Sequence, residues 1–377
     1  MRIAIVSHIR HAIAAPFMGG MEAHSHMLAT VLRDRGHEVT LFASGDSKPD
    51  AGIALEPIVT RHYDAVYPWH DFHGTEVLNT HLDTAYGAVL PKLTPDRFDV
   101  VHNNSLHRYL PRHARQIGMP MLTSLHVPPF KVLRRAVEDS IAPWCHFTVC
   151  SQDQLNEWWP EHKPEEGHVV YNGIDLAKWD FVAQGDGTAV WVGRITPTKG
   201  TGPAVQAARR AGVRLRIYGV IEHQDYFETE VAPYLDERIT YEGHLDQSQL
   251  RARIGAASVA LFTPCWNEPF GLVAAEAMAC GVPVAGFARG AAAEVTGNGG
   301  RLVPEGDIDA LAEAIKVAGR IDRAMVRRRV AENFSLDTMV RGYEGLYDRA
   351  RRGAASFVAP RRFAPYELPE PQPLVAE

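Results

Sequence analysis

Cysteine is scarce in this chain, and what little there is has no metal-ligand pattern. Cys145, Cys150, Cys265 and Cys280 are scattered, with no C-x-x-C pair, so neither a zinc module nor a disulfide framework is indicated. They read as packing residues of a protein from a reducing compartment. A basic excess is also missing: 39 Lys and Arg stand against 45 Asp and Glu, a formal charge of −6, so no positive field exists to gather nucleic acid. Long apolar runs are absent too. The opening MRIAIVSHIR is broken by Ser7 and His8 and reads as a first strand, not as a signal segment. The longest apolar stretch, 269–288, carries Glu276, Pro283 and several glycines and does not suit a spanning helix. A cytoplasmic protein is expected, with any membrane contact peripheral, at the inner membrane face. No first strand is followed by G-x-G-x-x-G with an acidic residue about 20 positions on, which disfavours a dinucleotide-dependent oxidoreductase.

What is present is a regular alternation. Short apolar runs at 2–7, 37–43, 98–102, 120–126 and 146–151 look like buried strands. Between them lie stretches of helical period, as at 20–35, where Met21, Met27, Leu28, Val31 and Leu32 recur three and four apart. A second series follows at 188–193, 213–219, 238–243, 257–263, 282–287 and 300–303. Strand, helix, strand in succession implies a doubly wound parallel sheet, and 377 residues suit two such domains. The expected division is an N-terminal Rossmann-like domain over 1–170 and a C-terminal one over 171–334. An amphipathic helix over 335–352 should cross back to the first domain, and a proline-rich, surface-draped tail should fill 353–377.

The chemistry-bearing segment is NEPFGLVAAEAMACGVPVAG, where Glu268 and Glu276 stand eight residues apart behind a strand ending at Thr263. A helix starting near Pro269, with Gly271 permitting close backbone approach, would present free N–H groups at the strand ends and form an anion site. Glu276, two turns in, could accept hydrogen bonds from a ribose diol, and Glu268 could reach sugar hydroxyls. Read singly, both could equally be ordinary helix glutamates. WVGRITPTKG adds Arg194 and Lys199 on a loop between strand and helix, two cations suited to a diphosphate leaving group; alone, Lys199 reads better as a helix-flanking lysine on a solvated loop. Gly19 and Gly20 precede the first helix, where they could let main-chain amides approach a ligand or could form a plain turn.

Taken together these residues resemble the retaining glycosyltransferases of family 4, with the GT-B architecture of two Rossmann-like doubly wound parallel-sheet domains facing a cleft. The shared pieces are Gly19-Gly20, H-V-P-P from His126 to Pro129, Y-N-G-I-D at 171–175, V-G-R-I-T-P-T-K-G at 192–200, E-P-F-G-L-V-A-A-E-A-M-A-C-G-V-P-V at 268–284 and G-R-L-V-P-E-G-D at 300–307. The E-x7-E segment is the specific one. The resemblance implies an N-terminal acceptor domain and a C-terminal domain for the nucleotide sugar. Arg194 and Lys199 would bind the pyrophosphate, Glu276 the ribose and Glu268 the transferred sugar. The stretch Phe270, Gly271, Leu272 and Val273 would meet phosphates and sugar through its backbone, Gly19 and Gly20 would approach from the N-terminal domain, and His126 would sit at the reaction centre. Gly219, His244 and Leu245 would frame the base, although the family's usual G-x-G is reduced here to Gly219.

Hexose transfer from a nucleotide-diphosphate sugar, UDP-glucose foremost, by front-side displacement is therefore expected, with no cofactor and no metal. The acceptor is unreadable, as is the oligomeric state. Two rivals remain: a nucleotide-sugar 2-epimerase of the same fold and a non-catalytic nucleotide-sugar or glycan-binding protein. Eighteen histidines, twelve of them before residue 115, invite a metal reading, but they show no H-E-x-x-H or comparable spacing. His8, His11, His102 and His107 lie near strand ends, where a share could line an acceptor pocket, though packing or surface roles suit each singly. Asp307-Ile308-Asp309 reads as a helix cap in preference to a metal-diphosphate motif. The aromatic stretch 63–83 reads as a helix over the sheet.

Overall fold

The computed structural model describes residues 1–357. The tail expected over 353–377 lies, from residue 358 onward, outside the described residues. The chain forms two compact units: one comprises Met1–Val149, Leu155–Val170 and the chain from Val340, the other Cys150–Gln154 and Tyr171–Met339.

The first unit is built on seven parallel strands: β1 Arg2–Ser7, β2 Glu38–Ser44, β3 Ala54–Val59, β4 Val100–Asn104, β5 Met121–Ser124, β6 Cys145–Val149 and β7 Gly167–Val169. Their order is β3-β2-β1-β4-β5-β6-β7, so the chain runs outward from β1 in one direction and then returns to build the other half. Ile3 to Val6 of β1 are fully buried, as a central strand covered by helices on both faces requires. The edge strands β3 and β7 are not among the sequence expectations. β3 (ALEPIV) is nowhere fully buried and contains Pro57, and β7 is only three residues long, so neither carries an apolar signal.

The second unit carries β8 Thr188–Val192, β9 Arg214–Tyr218, β10 Ile239–Tyr241, β11 Val259–Phe262, β12 Val284–Phe287 and β13 Gly300–Val303, in the order β10-β9-β8-β11-β12-β13, again all parallel. One core packs the helix Leu272–Ala279 against the helix Arg323–Asn333 through Ala275, Met278, Val326 and Val330; a second covers the other face with Trp191, Val205, Ile217 and Phe287. Asp307 accepts a hydrogen bond from the amide of Ala310 and caps the helix Ile308–Ala318, so the D-x-D tripeptide has a structural role. The helices expected over 20–35 and 335–352 form as Gly20–Asp34 and Leu336–Ala354, the latter ending beyond the expected residue 352. The stretch 63–83 is broken into two short turns before the helix Glu76–Val89, which Thr75 caps. No helix among the described residues is long and apolar enough to cross a membrane.

Val340, Tyr343 and Tyr347 of the last helix are buried in the first unit. There the Tyr347 hydroxyl lies 2.6 Å from Nδ1 of His102, whose Nε2 meets the Ser124 hydroxyl at 2.9 Å. His102 is wholly buried in β4, and burial lowers its pKa to about 3, so it is a neutral packing histidine and lines no pocket. Tyr347→Phe leaves that imidazole nitrogen without its partner and should cost roughly 1–3 kcal/mol of stability. Urea unfolding monitored by circular dichroism checks this; an unchanged midpoint would show that the bond contributes nothing.

Candidate active site

In the second unit the site grows from one close approach of backbones. Gly200, after the turn Pro197–Lys199, has φ +71, and a Cβ there would fall 1.9 Å from the carbonyl oxygen of Thr263 at the end of β11. Only glycine permits this. The Thr263 hydroxyl donates to the Gly200 carbonyl at 2.8 Å and accepts from the Trp191 indole at 3.1 Å, while the amide of Cys265 donates to the Thr198 carbonyl at 2.8 Å. These bonds clamp the loop after β8 to the loop after β11. The Lys199 ammonium is thereby set 2.6 Å from Glu268 Oε2, with the Lys199 side chain one-quarter exposed. Trp266 completes the cluster: its indole N–H donates to the same carboxylate oxygen at 2.9 Å, and the Lys199 ammonium lies 5.0 Å from its ring centroid. Sequence reasoning passed over Trp266, although it stands two residues before Glu268.

The main chain of Glu268 is fixed as well. Its carbonyl accepts from Ala291 at 2.9 Å, and a Cβ on Gly290 would lie 2.4 Å from its amide nitrogen. The helix that follows begins at Leu272, not near Pro269. Gly271 is its N-cap at φ +89, where a Cβ would meet the Phe262 ring at 2.6 Å, and this left-handed residue postpones the first helical turn. Glu268 therefore lies off the helix and Glu276 stands one turn into it. No side chain caps the start, so the amides of Leu272 and Val273 stand at an open, electropositive helix end. Phe270 is 2% exposed and packs in the core beside Tyr171 and Phe334, so only its main chain is available to a ligand.

Glu276 is half-buried and its carboxyl makes no hydrogen bond among the described residues. Burial raises its pKa to about 8, with only Arg251 opposing, so near neutrality this carboxyl keeps its proton and can donate as well as accept. Arg194 is placed apart from the Lys199–Glu268 pair. Its guanidinium meets Glu222, a residue sequence reasoning did not single out, at 2.6 Å, and both side chains are largely exposed. Such a pair is worth about 0–1 kcal/mol and yields readily to a stronger anion.

At the opposite half of the sheet edge, Gly219 has φ +148 and a Cβ would fall 1.8 Å from the Gly193 carbonyl oxygen. Its amide donates to the Gly243 carbonyl at 2.9 Å and its carbonyl accepts from the Tyr241 hydroxyl at 2.8 Å. The lone glycine thus draws the ends of β8, β9 and β10 together. His244, exposed, and Leu245, half-buried, follow directly.

In the first unit, Gly19 is the N-cap of the helix Gly20–Asp34, and both glycines are exposed. Gly19 is extended, a conformation open to any residue, but a Cβ there would meet the Glu22 carboxylate at 2.9 Å. Glu22 is buried and lies 3.3 Å from His8 Nε2, and burial lowers the His8 pKa to about 4. His126 follows β5, meets the Asn104 side chain at 3.1 Å through Nε2, and stacks edge-on to the buried His24 at 4.6 Å. Burial lowers the His126 pKa to about 4, so this ring is a neutral hydrogen-bonding group. His107 packs on Tyr86 and bonds Asp83 at 3.0 Å, a structural role. Among the described residues no cluster of three or more His, Cys, Asp or Glu is placed to hold a metal ion.

Two units on parallel sheets, the second with the Lys199–Glu268 pair and an uncapped helix start at its sheet's carboxyl edge, have the architecture of GT-B glycosyltransferases. The model of glycosyl transferases group 1 matches residues 178–332 and that of glycosyltransferase family 4 matches residues 18–178, and the chain belongs to glycosyltransferase family 4. It is 29% identical over 406 residues to a glycogen synthase of Mycobacterium tuberculosis, with 94% of this chain and 96% of the relative covered. It is 27% identical over 328 residues to a phosphatidyl-myo-inositol mannosyltransferase of Mycobacterium leprae, covering 81% and 84%. Among solved structures, HepE of Anabaena in complex with UDP and glucose superposes with a TM-score of 0.69 at 18% identity, covering 92% of this chain and 99% of that one. The chain is thus an enzyme of the glycosyl-transferring class.

Glu276 gives this site a pH signature. The folded chain holds the Glu276 proton up to about pH 8, whereas a free glutamate releases it near 4.5. Wild-type stability therefore falls as pH rises between those values, and Glu276→Gln, which has no proton to lose, escapes the fall. The variant's stability relative to wild type should rise by roughly 2–4 kcal/mol from pH 5 to pH 8 and level off above. Thermal unfolding across that range checks this; parallel curves would contradict a buried, proton-holding carboxyl.

Proposed function

We propose that the enzyme transfers glucose from UDP-glucose to a hydroxyl acceptor with retention of configuration, without a metal ion. The observation that carries the reading is the Lys199–Glu268 ion pair at 2.6 Å beside the uncapped start of the helix Leu272–Ala279. A pyrophosphate arriving there meets Lys199, the amides of Leu272 and Val273, and Arg194 released from its weak surface pair. As Lys199 turns to the phosphate, the Glu268 carboxylate is freed to accept hydrogen bonds from the sugar hydroxyls. Glu276 grips the ribose diol, its retained proton letting it donate to one hydroxyl while it accepts from the other.

The chemistry follows from where charge grows. The bond from the anomeric carbon to the phosphate oxygen breaks, negative charge builds on the phosphate, and Lys199, Arg194 and the helix amides stabilise it. The sugar becomes oxocarbenium-like, and the acceptor oxygen bonds the anomeric carbon on the face the phosphate leaves. The departing phosphate oxygen takes the acceptor proton. No carboxylate nucleophile is needed, and Glu268 serves to anchor the sugar. His126, neutral, is suited to hydrogen-bond a sugar hydroxyl. The base falls to the stretch around Gly219, His244 and Leu245. The glucose assignment draws on the glycogen synthase relative and on HepE, whose structure holds UDP and glucose.

A thermal-shift panel of UDP-, GDP-, ADP- and TDP-glucose should single out the UDP sugar; equal shifts for all four would defeat the choice of base. Donor hydrolysis should fall at least about 100-fold in Lys199→Ala, the size of losing one preorganised electrostatic contact. Turnover of donor to an epimer without acceptor would favour the epimerase, and unchanged, negligible turnover with intact UDP binding a binding module.

A further inference from the structure

A cleft of about 340 Å³ opens in the first unit at the carboxyl ends of three neighbouring strands. Its walls come from the segment after β1, which also carries His8 and Gly19-Gly20, and from residues 62–65, which follow β3. The size falls in the usual range of small-molecule sites, roughly 300–1,000 Å³, and the position is where open parallel sheets bind ligands. None of its residues takes part in the donor site described above.

Its chemistry is one-sided. His62 meets Asp46, which follows β2, through Nδ1 at 2.6 Å and through its main-chain amide at 3.2 Å. An Nδ1–H donated to that carboxylate leaves Nε2 as an acceptor. Asp64 accepts from the Trp69 amide at 3.0 Å and faces Arg10 Nε at 3.5 Å, both through Oδ1, while its other oxygen makes no hydrogen bond among the described residues. The His11 ring lies 6.0 Å from that of His62 and also makes no hydrogen bond among the described residues. No lysine or arginine lines the cleft. The neighbouring Arg10 lies outside the lining, with its Nε 3.5 Å from Asp64 and its guanidinium over the Trp69 face at 4.4 Å. The remaining wall is apolar, through Ala12, Ala14, Pro16 and Met18.

We propose that this cleft seats an uncharged, hydroxyl-rich acceptor, a sugar or polyol end, and turns away phosphorylated ones; the acceptor role rests on the glycosyl-transfer reading above. Hydroxyls donate to Asp64, His62 and His11, and the apolar wall takes a carbohydrate's C–H face. A phosphate brings only acceptors and two negative charges to a pocket whose lining holds the Asp64 carboxylate and no lysine or arginine, where Coulomb repulsion and lost solvation both oppose it.

Matched pairs test the charge rule: glucose and myo-inositol against glucose 6-phosphate and myo-inositol 1-phosphate, titrated calorimetrically into the full chain with and without UDP. At least one neutral compound should bind at least ten-fold more tightly than its phosphorylated counterpart. That affinity should drop at least ten-fold in Ala12→Phe, which fills the cleft, and in His11→Ala, which removes a hydrogen-bonding group without adding bulk. Tighter binding of the phosphorylated members, no binding of either neutral compound, or unchanged affinity in both variants overturns the proposal. UDP-glucose affinity of the wild type, measured alongside, reports on the donor reading separately, so either reading can fail while the other stands.

Discussion

The close contact of Gly200 with the Thr263 carbonyl is the constraint on which the donor site depends. A side chain at that position would push the loop after β8 off the end of β11, since a Cβ would fall at 1.9 Å, far inside van der Waals contact. With the two loops clamped, Lys199 meets Glu268, and Trp266 bonds the same carboxylate oxygen. The pair is stable in the absence of ligand because each charge neutralises the other, and it is responsive because a pyrophosphate offers Lys199 a stronger partner. On the proposed reading, the site stores its two binding groups as one ion pair and separates them when the donor arrives.

Glu276 follows a different logic. It sits one turn into a helix with no cap, half-buried and without a hydrogen-bond partner among the described residues, and burial pushes its pKa up to about 8. A buried carboxyl with nothing to bond is a standing cost to the fold. The expense makes sense where a ligand supplies the missing partners, and a vicinal diol supplies both a donor and an acceptor. Arg194 shows the opposite economy: exposed and loosely paired with Glu222, it can be recruited at little loss.

Much of this was legible in the sequence, for physical reasons. Buried parallel strands must be continuous apolar runs, so eleven of the thirteen strands announced themselves; β3 and β7 are edge strands without that burial and left no mark. The E-x7-E segment and the Gly-Arg…Lys-Gly loop were readable because backbone approach demands glycine at fixed places. The helix start was misplaced at Pro269 because proline signals a first turn, whereas Gly271 in the left-handed region postpones it to Leu272. Glu222 was invisible because its contact depends on where β9 ends. The histidines were ambiguous from spacing alone. His102 proves to be a sealed core residue, His8 is paired with a buried glutamate, and His11 lies along a cleft.

The central claim is that Lys199 holds phosphate while Glu268 holds sugar, and calorimetric titration with UDP and with UDP-glucose separates the two roles. Lys199→Ala should weaken both ligands alike. Glu268→Ala should leave UDP affinity unchanged or tighter, because Lys199 is released, and should abolish the extra affinity that the glucose confers. A Glu268→Ala enzyme that still bound UDP-glucose more tightly than UDP by the wild-type ratio would contradict the account.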